Sequence, residues 1–131
     1  MSIDRRILIA DDDRELRSCV AELLGPLGAE ILQAGTGLEA LSIVRGRGIH
    51  LALLDFHMPA PTGLEILSTI RRETLSIPCI FLSGDASEAI RKEALREGAF
   101  AVFGKPIEPI RLREEVIRAL RLGSPPRPAA Q

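Results

Sequence analysis

The chain of 131 residues is short of several things, and each shortage narrows the reading. It has two cysteines, Cys19 and Cys79, with no Cys-x-x-Cys pair and no histidine beside either. A disulfide framework or a zinc site is therefore not expected, and both thiols read as small buried hydrophobes. No apolar run approaches the roughly 20 residues that a membrane span needs. The opening Met-Ser-Ile-Asp-Arg-Arg leads into a strand rather than a secretory signal, so the protein reads as cytoplasmic. Neither sign of charge dominates: 17 Lys and Arg stand against 18 Asp and Glu, a formal net charge of -1. That balance gives no ground for a nucleic acid or an acidic membrane as direct partner. What is present is ordinary for a globular protein, 46% hydrophobic and 27% charged residues, and the length suits one domain with a real core.

The apolar residues fall into an alternating series. Ile7-Leu8-Ile9-Ala10 is a strand-like run that ends on three acids, Asp11, Asp12 and Asp13. A helix over 14–24 follows, with Leu16, Cys19, Val20, Leu23 and Leu24 on one face and Gly25-Pro26 as its stop. A strand over 29–34 leads through Gly35-Thr36-Gly37 into a helix over 38–45, with Leu38, Leu41 and Val44 inward, closed by Gly46 and Gly48. Leu51-Ala52-Leu53-Leu54 is short enough for a strand buried on both faces, and the carboxylate of Asp55 belongs at its end because such a strand cannot hold it in the middle. Pro59, Pro61 and Gly63 keep the next segment irregular. Helices are expected over 64–72 and 87–97, strands over 78–82 and 101–103. A last helix spans 109–122 with Pro109 first and Leu112, Val116, Ala119 and Leu120 on one side. Five β-α units in strict alternation mean a parallel sheet with helices on both faces. The domain is therefore placed at 1–122, and the Pro-rich 123–131 stretch reads as a disordered tail or the stump of a linker.

Right-handed crossovers bring all strand C-termini to one edge of the sheet, where open α/β sheets bind ligands. The polar residues at those ends are Asp11, Asp12 and Asp13, then Asp55, then Ser83 and Asp85, then Lys105. Clustered carboxylates are costly: two unit charges about 4 Å apart repel by roughly 4 kcal/mol at an effective dielectric of 20. Lys105 supplies one compensating charge, and a hard divalent cation such as Mg²⁺, which takes oxygen ligands and keeps waters, would supply the rest. In that setting Asp55 can attack phosphorus, and Ser83 can donate to an oxygen of the transferred group. Positioning and charge neutralisation are most of what phosphoryl transfer requires.

Four motifs in order, each closing an expected strand, carry a resemblance: Ile-Leu-Ile-Ala-Asp-Asp-Asp, Leu-Asp-Phe-His-Met-Pro, Phe-Leu-Ser-Gly, and Gly-Ala followed by Gly-Lys-Pro. From about Arg6 to Leu122 the chain resembles the response-regulator receiver domains of two-component signalling, laid out like the single-domain chemotaxis regulator. The resemblance implies a CheY-like, flavodoxin-like sheet of order 2-1-3-4-5 with five helices. It implies a phosphoryl group received by Asp55 from a sensor histidine kinase or histidine phosphotransfer protein, so that the domain catalyses its own phosphorylation and dephosphorylation without being a metabolic enzyme. It further implies Mg²⁺ bound by Asp12 directly, by Asp11 mostly through water, by Asp55 and by the backbone carbonyl of His57. Ser83 and Lys105 would hold the phosphoryl oxygens, the Lys105-Pro106 bond would be cis, and the small Gly84 would admit the donor. Asp13 falls outside the matching pair and reads as a helix cap.

One residue departs from the pattern. The family usually carries Tyr or Phe three residues before the lysine, a ring that swings inward when the Ser or Thr moves; here the position is Val102, flanked by Phe100 and Phe103 on the opposite strand face. A valine cannot make that swing. Output to a downstream protein or domain, through the fourth helix, fifth strand and fifth helix, is then expected to use a different rearrangement, in a monomer or a phosphorylation-dependent dimer. Blander readings apply to other residues: His57 is a variable neighbour of the site, His50 a surface residue, and Arg111, Arg113, Arg118 and Arg121, alternating with Glu114 and Glu115, a solvated face. Two alternatives stay open. One is an interaction module of the same fold that is never phosphorylated. The other is a phosphohydrolase of the haloacid-dehalogenase type using Asp11-x-Asp13, which lacks the threonine that type wants where Glu15 stands and has no cap segment. The chain reads either as a stand-alone regulator or as a receiver cut from a longer protein.

Overall fold

The computed structural model describes residues 5–85 and 87–122. The 123–131 stretch expected as a tail lies outside them. Ten elements alternate along the chain: β1 (Arg6–Ala10), α1 (Arg14–Leu24), β2 (Glu30–Ala34), α2 (Gly37–Gly46), β3 (Leu51–Asp55), α3 (Gly63–Arg72), β4 (Cys79–Ser83), α4 (Glu88–Arg96), β5 (Ala101–Gly104) and α5 (Pro109–Leu122). A single 3-10 turn, Gly25–Leu27, sits where Gly25-Pro26 stops α1. The strands form one parallel sheet in the order β2-β1-β3-β4-β5, the flavodoxin-like arrangement expected from the sequence.

Period two along each strand divides the core into two layers. Leu8, Ala10, Ala52, Leu54, Cys79, Phe81 and Val102 face the side covered by α2, α3 and α4. Ile7, Ile9, Leu51, Leu53, Ile80 and Leu82 face α1 and α5, which meet them with Val20, Leu24, Leu112 and Val116. All of β3 and β4 is buried, whereas β2 and β5 are the partly exposed edges. That is why the two centre strands read as unbroken apolar runs. The helices start where their sequences say: Asp13, Thr36, Thr62 and Ser87 each accept a backbone N–H three residues on, and Thr62 with Glu65 completes a reciprocal capping box.

Two expectations about the core are corrected. In α2 the buried residues are Gly37, Ala40 and Val44, while Leu38 is 72% exposed. A Cβ on Gly37 would lie 2.0 Å from the carbonyl oxygen of Pro61, so α2 approaches the β3–α3 loop through its smallest residue, and that contact turns Leu38 outward. Cys19 is exposed rather than buried. On α1 only Val20 and Leu24 reach full burial, with Leu16 and Leu23 half-buried, and Cys19 lies on the flank of that stripe. Cys79 is buried as expected, and its environment pushes the thiol pKa up to about 12.

Candidate functional site

The strand order reverses between β1 and β3, and that neighbouring pair places its acids together. Register pairs Ala10 with Leu54, so the next residues, Asp11 and Asp55, leave the sheet side by side. Backbone bonds hold each exit: the Asp11 N–H donates to Ala34, Phe56 to Leu82, and Lys105 to Ser83. Asp11, Asp12 and Asp55 each offer an oxygen within 4.8 Å of the others. Asp11 and Asp55 are buried, at 1% and 5% exposure, and Asp12 is exposed. Lys105 reaches across from the end of β5, its Nζ 2.9 Å from Asp11 Oδ2 and 3.3 Å from Asp55 Oδ1.

The electrostatics follow from this burial. Desolvation raises the Asp11 carboxyl above the usual carboxylate value, and the negative charge of Asp55 adds to the rise. The Asp13 N–H, which donates to Asp11 Oδ1 at 2.8 Å, and Lys105 pull the other way without cancelling it. Burial alone would lower the Lys105 pKa, but its hydrogen bonds to the two carboxylates and their charges together raise it above the usual lysine value. Lys105 is thus an ammonium shared by two acids, and the pocket still carries an excess of hard carboxylate oxygens, the donor set that suits Mg²⁺.

Asp55 is held at one oxygen. Oδ1 accepts from Lys105 and, at 3.3 Å, from the backbone N–H of His57. Among the described residues no hydrogen bond reaches Oδ2. The loop beyond Asp55 is fixed by close approach: a Cβ on Gly63 would come within 2.7 Å of both the Asp55 carbonyl and the Phe81 ring. Phe81 in turn meets Phe56 edge to face at 5.4 Å.

Ser83 is fully buried at the end of β4, and its hydroxyl is engaged with Asp85: Oγ donates to the Asp85 carbonyl at 2.7 Å and accepts the Asp85 N–H at 3.1 Å. Asp13 caps α1, its Oδ1 accepting from Leu16 at 3.2 Å. A Cβ on Gly84 would meet nothing within 4 Å among the described residues, and the Lys105-Pro106 bond is cis, as is Ala60-Pro61. The ring of His57 is exposed and packs edge to face on Phe56. His50 is half-buried and more than a surface residue, for its Nδ1 accepts the Arg6 N–H at the start of β1. Val102 is buried in the α2–α4 layer, with Phe100 and Phe103 in the other. Its carbonyl accepts from Arg91 of α4 at 3.0 Å. The basic residues of α5 lie in solvent, where Arg118 pairs with Glu115 and stacks over Phe100.

The sequence reading passed over Arg17. Its Nη1 donates to the Asp11 carbonyl at 2.6 Å and its Nε to Gln33 Oε1 at 3.2 Å, directly behind the acidic cluster. Its place in the first turn of α1 was the available signal, because helical side chains lean toward the N-terminus and so toward the strand end.

The chain's likeness to known proteins agrees with this geometry. The family model for the response regulator receiver domain matches residues 7–117. The luminescence regulatory protein LuxO of Vibrio campbellii is 32% identical over 86% of this chain and 25% of its own length. The regulator of RpoS of Escherichia coli is 33% identical over 90% of this chain and 35% of its own length. This chain therefore spans between a quarter and about a third of these relatives. A CheY-like receiver domain from Methanospirillum hungatei superposes with a TM-score of 0.83 at 30% identity, covering 91% of this chain and 95% of that one. Among the described residues no helix is long and apolar enough to cross a membrane. Sheet order, strand-end acids and sequence matches agree: the chain belongs to the response-regulator receiver domain family of two-component signalling.

Proposed function

We propose that this receiver domain is a phosphorylation-dependent switch, in which Asp55 accepts a phosphoryl group from a phosphohistidine of a sensor histidine kinase or histidine phosphotransfer protein. The observation that carries the reading is Asp55 itself: a buried carboxylate with Oδ1 tied to Lys105 and His57 and with no hydrogen bond from the described residues at Oδ2. Mg²⁺ held by Asp11, Asp12, Asp55 and the His57 carbonyl, with Asp11 acting mostly through water, would neutralise the carboxylates and the oxygens of the incoming phosphoryl group.

In the transfer step Oδ2 forms the new O–P bond as the N–P bond of the donor breaks, and the donor imidazole leaves with the electron pair and takes up a proton. The bonds to Oδ1 fix the carboxylate plane, so Oδ2 is presented to the donor without a search over rotamers. Lys105 lies within reach of Asp55 to compensate the oxygens of the new acyl phosphate. Ser83 must release the Asp85 carbonyl before its hydroxyl can donate to that group, so phosphorylation is coupled to the loop between β4 and α4.

That coupling supports an output through α4, β5 and α5 without an aromatic swing. Of the α4 side chains only Ala94 is fully buried, and the helix is tied to β5 by Arg91 on the Val102 carbonyl. Arg71 of α3 also donates to the carbonyl of Glu97 at the C-cap. The helix α4 is thus held by one fully buried alanine, a half-buried Ile90 and two arginine bonds, a small anchorage for a helix that must move. The recipient is a downstream output protein or domain, the setting is the cytoplasm, and the state is a monomer or a phosphorylation-dependent dimer. The phosphohydrolase alternative is weakened because Asp13 is committed to capping α1.

Incubation with acetyl phosphate tests the reading. Intact mass should show one phosphoryl group per chain in Mg²⁺, none in excess chelator and none in Asp55→Asn. Label that survives the substitution sinks the assignment, and failure of the wild type to label favours the non-phosphorylated interaction module.

A further inference from the structure

Arg17 stands beside the acidic pocket with no task in the mechanism above. Its guanidinium is held by two hydrogen bonds and lies where a side chain on Gly35 would crowd it. Nη1 donates to the Asp11 carbonyl at 2.6 Å, Nε donates to Gln33 Oε1 at 3.2 Å, and a Cβ on Gly35 would approach Nη1 to 3.1 Å. Its own N–H donates to the Asp13 carbonyl, so one residue straps both ends of the 11–13 segment to α1. A short bond from a charged donor is at the strong end of the range.

The Asp11 carbonyl belongs to the peptide that joins Asp11 to Asp12. Fixing its plane fixes the direction in which the chain leaves Asp11. Asp12 is exposed, so the aim of its carboxylate is set by the backbone on which it stands. We infer that Arg17 is a positioning residue for the cation site, holding the Asp11-Asp12 peptide so that both carboxylates converge with Asp55, while Gln33 and the bare backbone of Gly35 keep the guanidinium in place. The inference rests on the proposed Mg²⁺ site.

Charge and positioning make opposite demands here. A positive guanidinium close to the pocket repels a second cation, so if Arg17 acted only as a charge, Arg17→Gln would tighten Mg²⁺ binding and Arg17→Lys would leave it unchanged. As a positioning residue it needs its planar fork, which lysine lacks, so both substitutions should weaken binding. Loss of a group that orients metal ligands typically costs 10–100-fold in affinity, and about tenfold is expected here.

The chain has no tryptophan, so Mg²⁺ titration of the full chain by calorimetry is the direct readout. Arg17→Lys and Arg17→Gln should each bind about tenfold more weakly. Gln33→Leu, which removes one anchor and keeps the strand, should weaken binding severalfold and covers the case in which the Arg17 variants do not fold. With acetyl phosphate, Arg17→Lys should raise the Mg²⁺ concentration for half-maximal labelling while the rate at saturating Mg²⁺ stays near that of wild type. Wild-type or tighter Mg²⁺ binding in folded Arg17→Lys overturns the inference alone. A wild type that takes no Mg²⁺ overturns it together with the reading on which it rests.

Discussion

Lys105→Met removes the ammonium that Asp11 and Asp55 share, and the cost can be worked from the geometry. The two carboxylates lie within 4.8 Å of each other, so at an effective dielectric of 20 their repulsion is at least about 3.5 kcal/mol. In wild type Lys105 offsets it through contacts at 2.9 and 3.3 Å. Breaking a buried pair by deleting one partner costs about 3–5 kcal/mol. Lys105 keeps a quarter of its side chain in solvent, so the loss in chelator at pH 8 should be about 3 kcal/mol.

The pH dependence follows from the direction of the Asp11 shift. Its pKa is raised above 3.8 in the folded state, so its contribution to stability is greatest below the unfolded value and falls as pH rises toward the folded one. Without Lys105 the folded value rises further and the fall is larger. At pH 5 the protein can escape by protonating one acid, which costs no more than about 1.6 kcal/mol at 1.36 kcal/mol per unit. Urea unfolding of both proteins at pH 5 and pH 8 in chelator measures this. A destabilisation near 3 kcal/mol at pH 8 that shrinks below about 1.6 at pH 5, and is partly recovered by Mg²⁺, is expected. Equal stability at pH 8, or a loss that does not shrink at pH 5, would refute the argument that these acids depend on Lys105.

Three further predictions follow from the packing. Cys19, exposed on α1, should react with a thiol reagent in the native state at pH 8, whereas Cys79, with a thiol pKa of about 12, should react only on unfolding; two fast thiols would contradict the assigned core. In α2, Leu38→Gln should change stability by less than about 0.5 kcal/mol and Val44→Ala should cost roughly 2 kcal/mol; the reverse order in a urea series would show the helix rotated. Arg91→Gln should cost about 1 kcal/mol and speed hydrogen exchange in α4 while leaving β1 and β3 unchanged; uniform or absent acceleration would deny it a role in holding α4 to β5.

Most of this could be read from residue order alone because of one physical constraint. A strand buried on both faces tolerates no charge, so Asp11 and Asp55 had to stand at strand ends, and parallel topology put those ends on one edge with Ser83 and Lys105. The sequence misled where small residues decide packing. Leu38 looked like core by hydrophobicity, yet the buried residues beside it are Gly37, where the Pro61 carbonyl leaves no room for a side chain, and Ala40. Cys19 satisfied the helical spacing but fell on the flank of α1, since two neighbours, Val20 and Leu24, already filled the interior face. Contacts from a side chain to a distant carbonyl were invisible for a different reason. The reach of Arg17 to Asp11 and of Arg91 to Val102 depends on where helices sit, which no local pattern encodes. The orientation of the Ser83 hydroxyl toward Asp85 is likewise a rotamer choice among several that the same residue allows.

The central claim is that Asp55, among four neighbouring acids that could carry it, takes the phosphoryl group. Borohydride reduces an aspartyl phosphate to homoserine, so treating acetyl-phosphate-labelled protein and sequencing its peptides by mass spectrometry marks the carboxylate that was modified. Homoserine at position 55, and wild-type sequence at Asp11, Asp12 and Asp13, is the expected result. Homoserine at Asp11, or at any position other than 55, would contradict it.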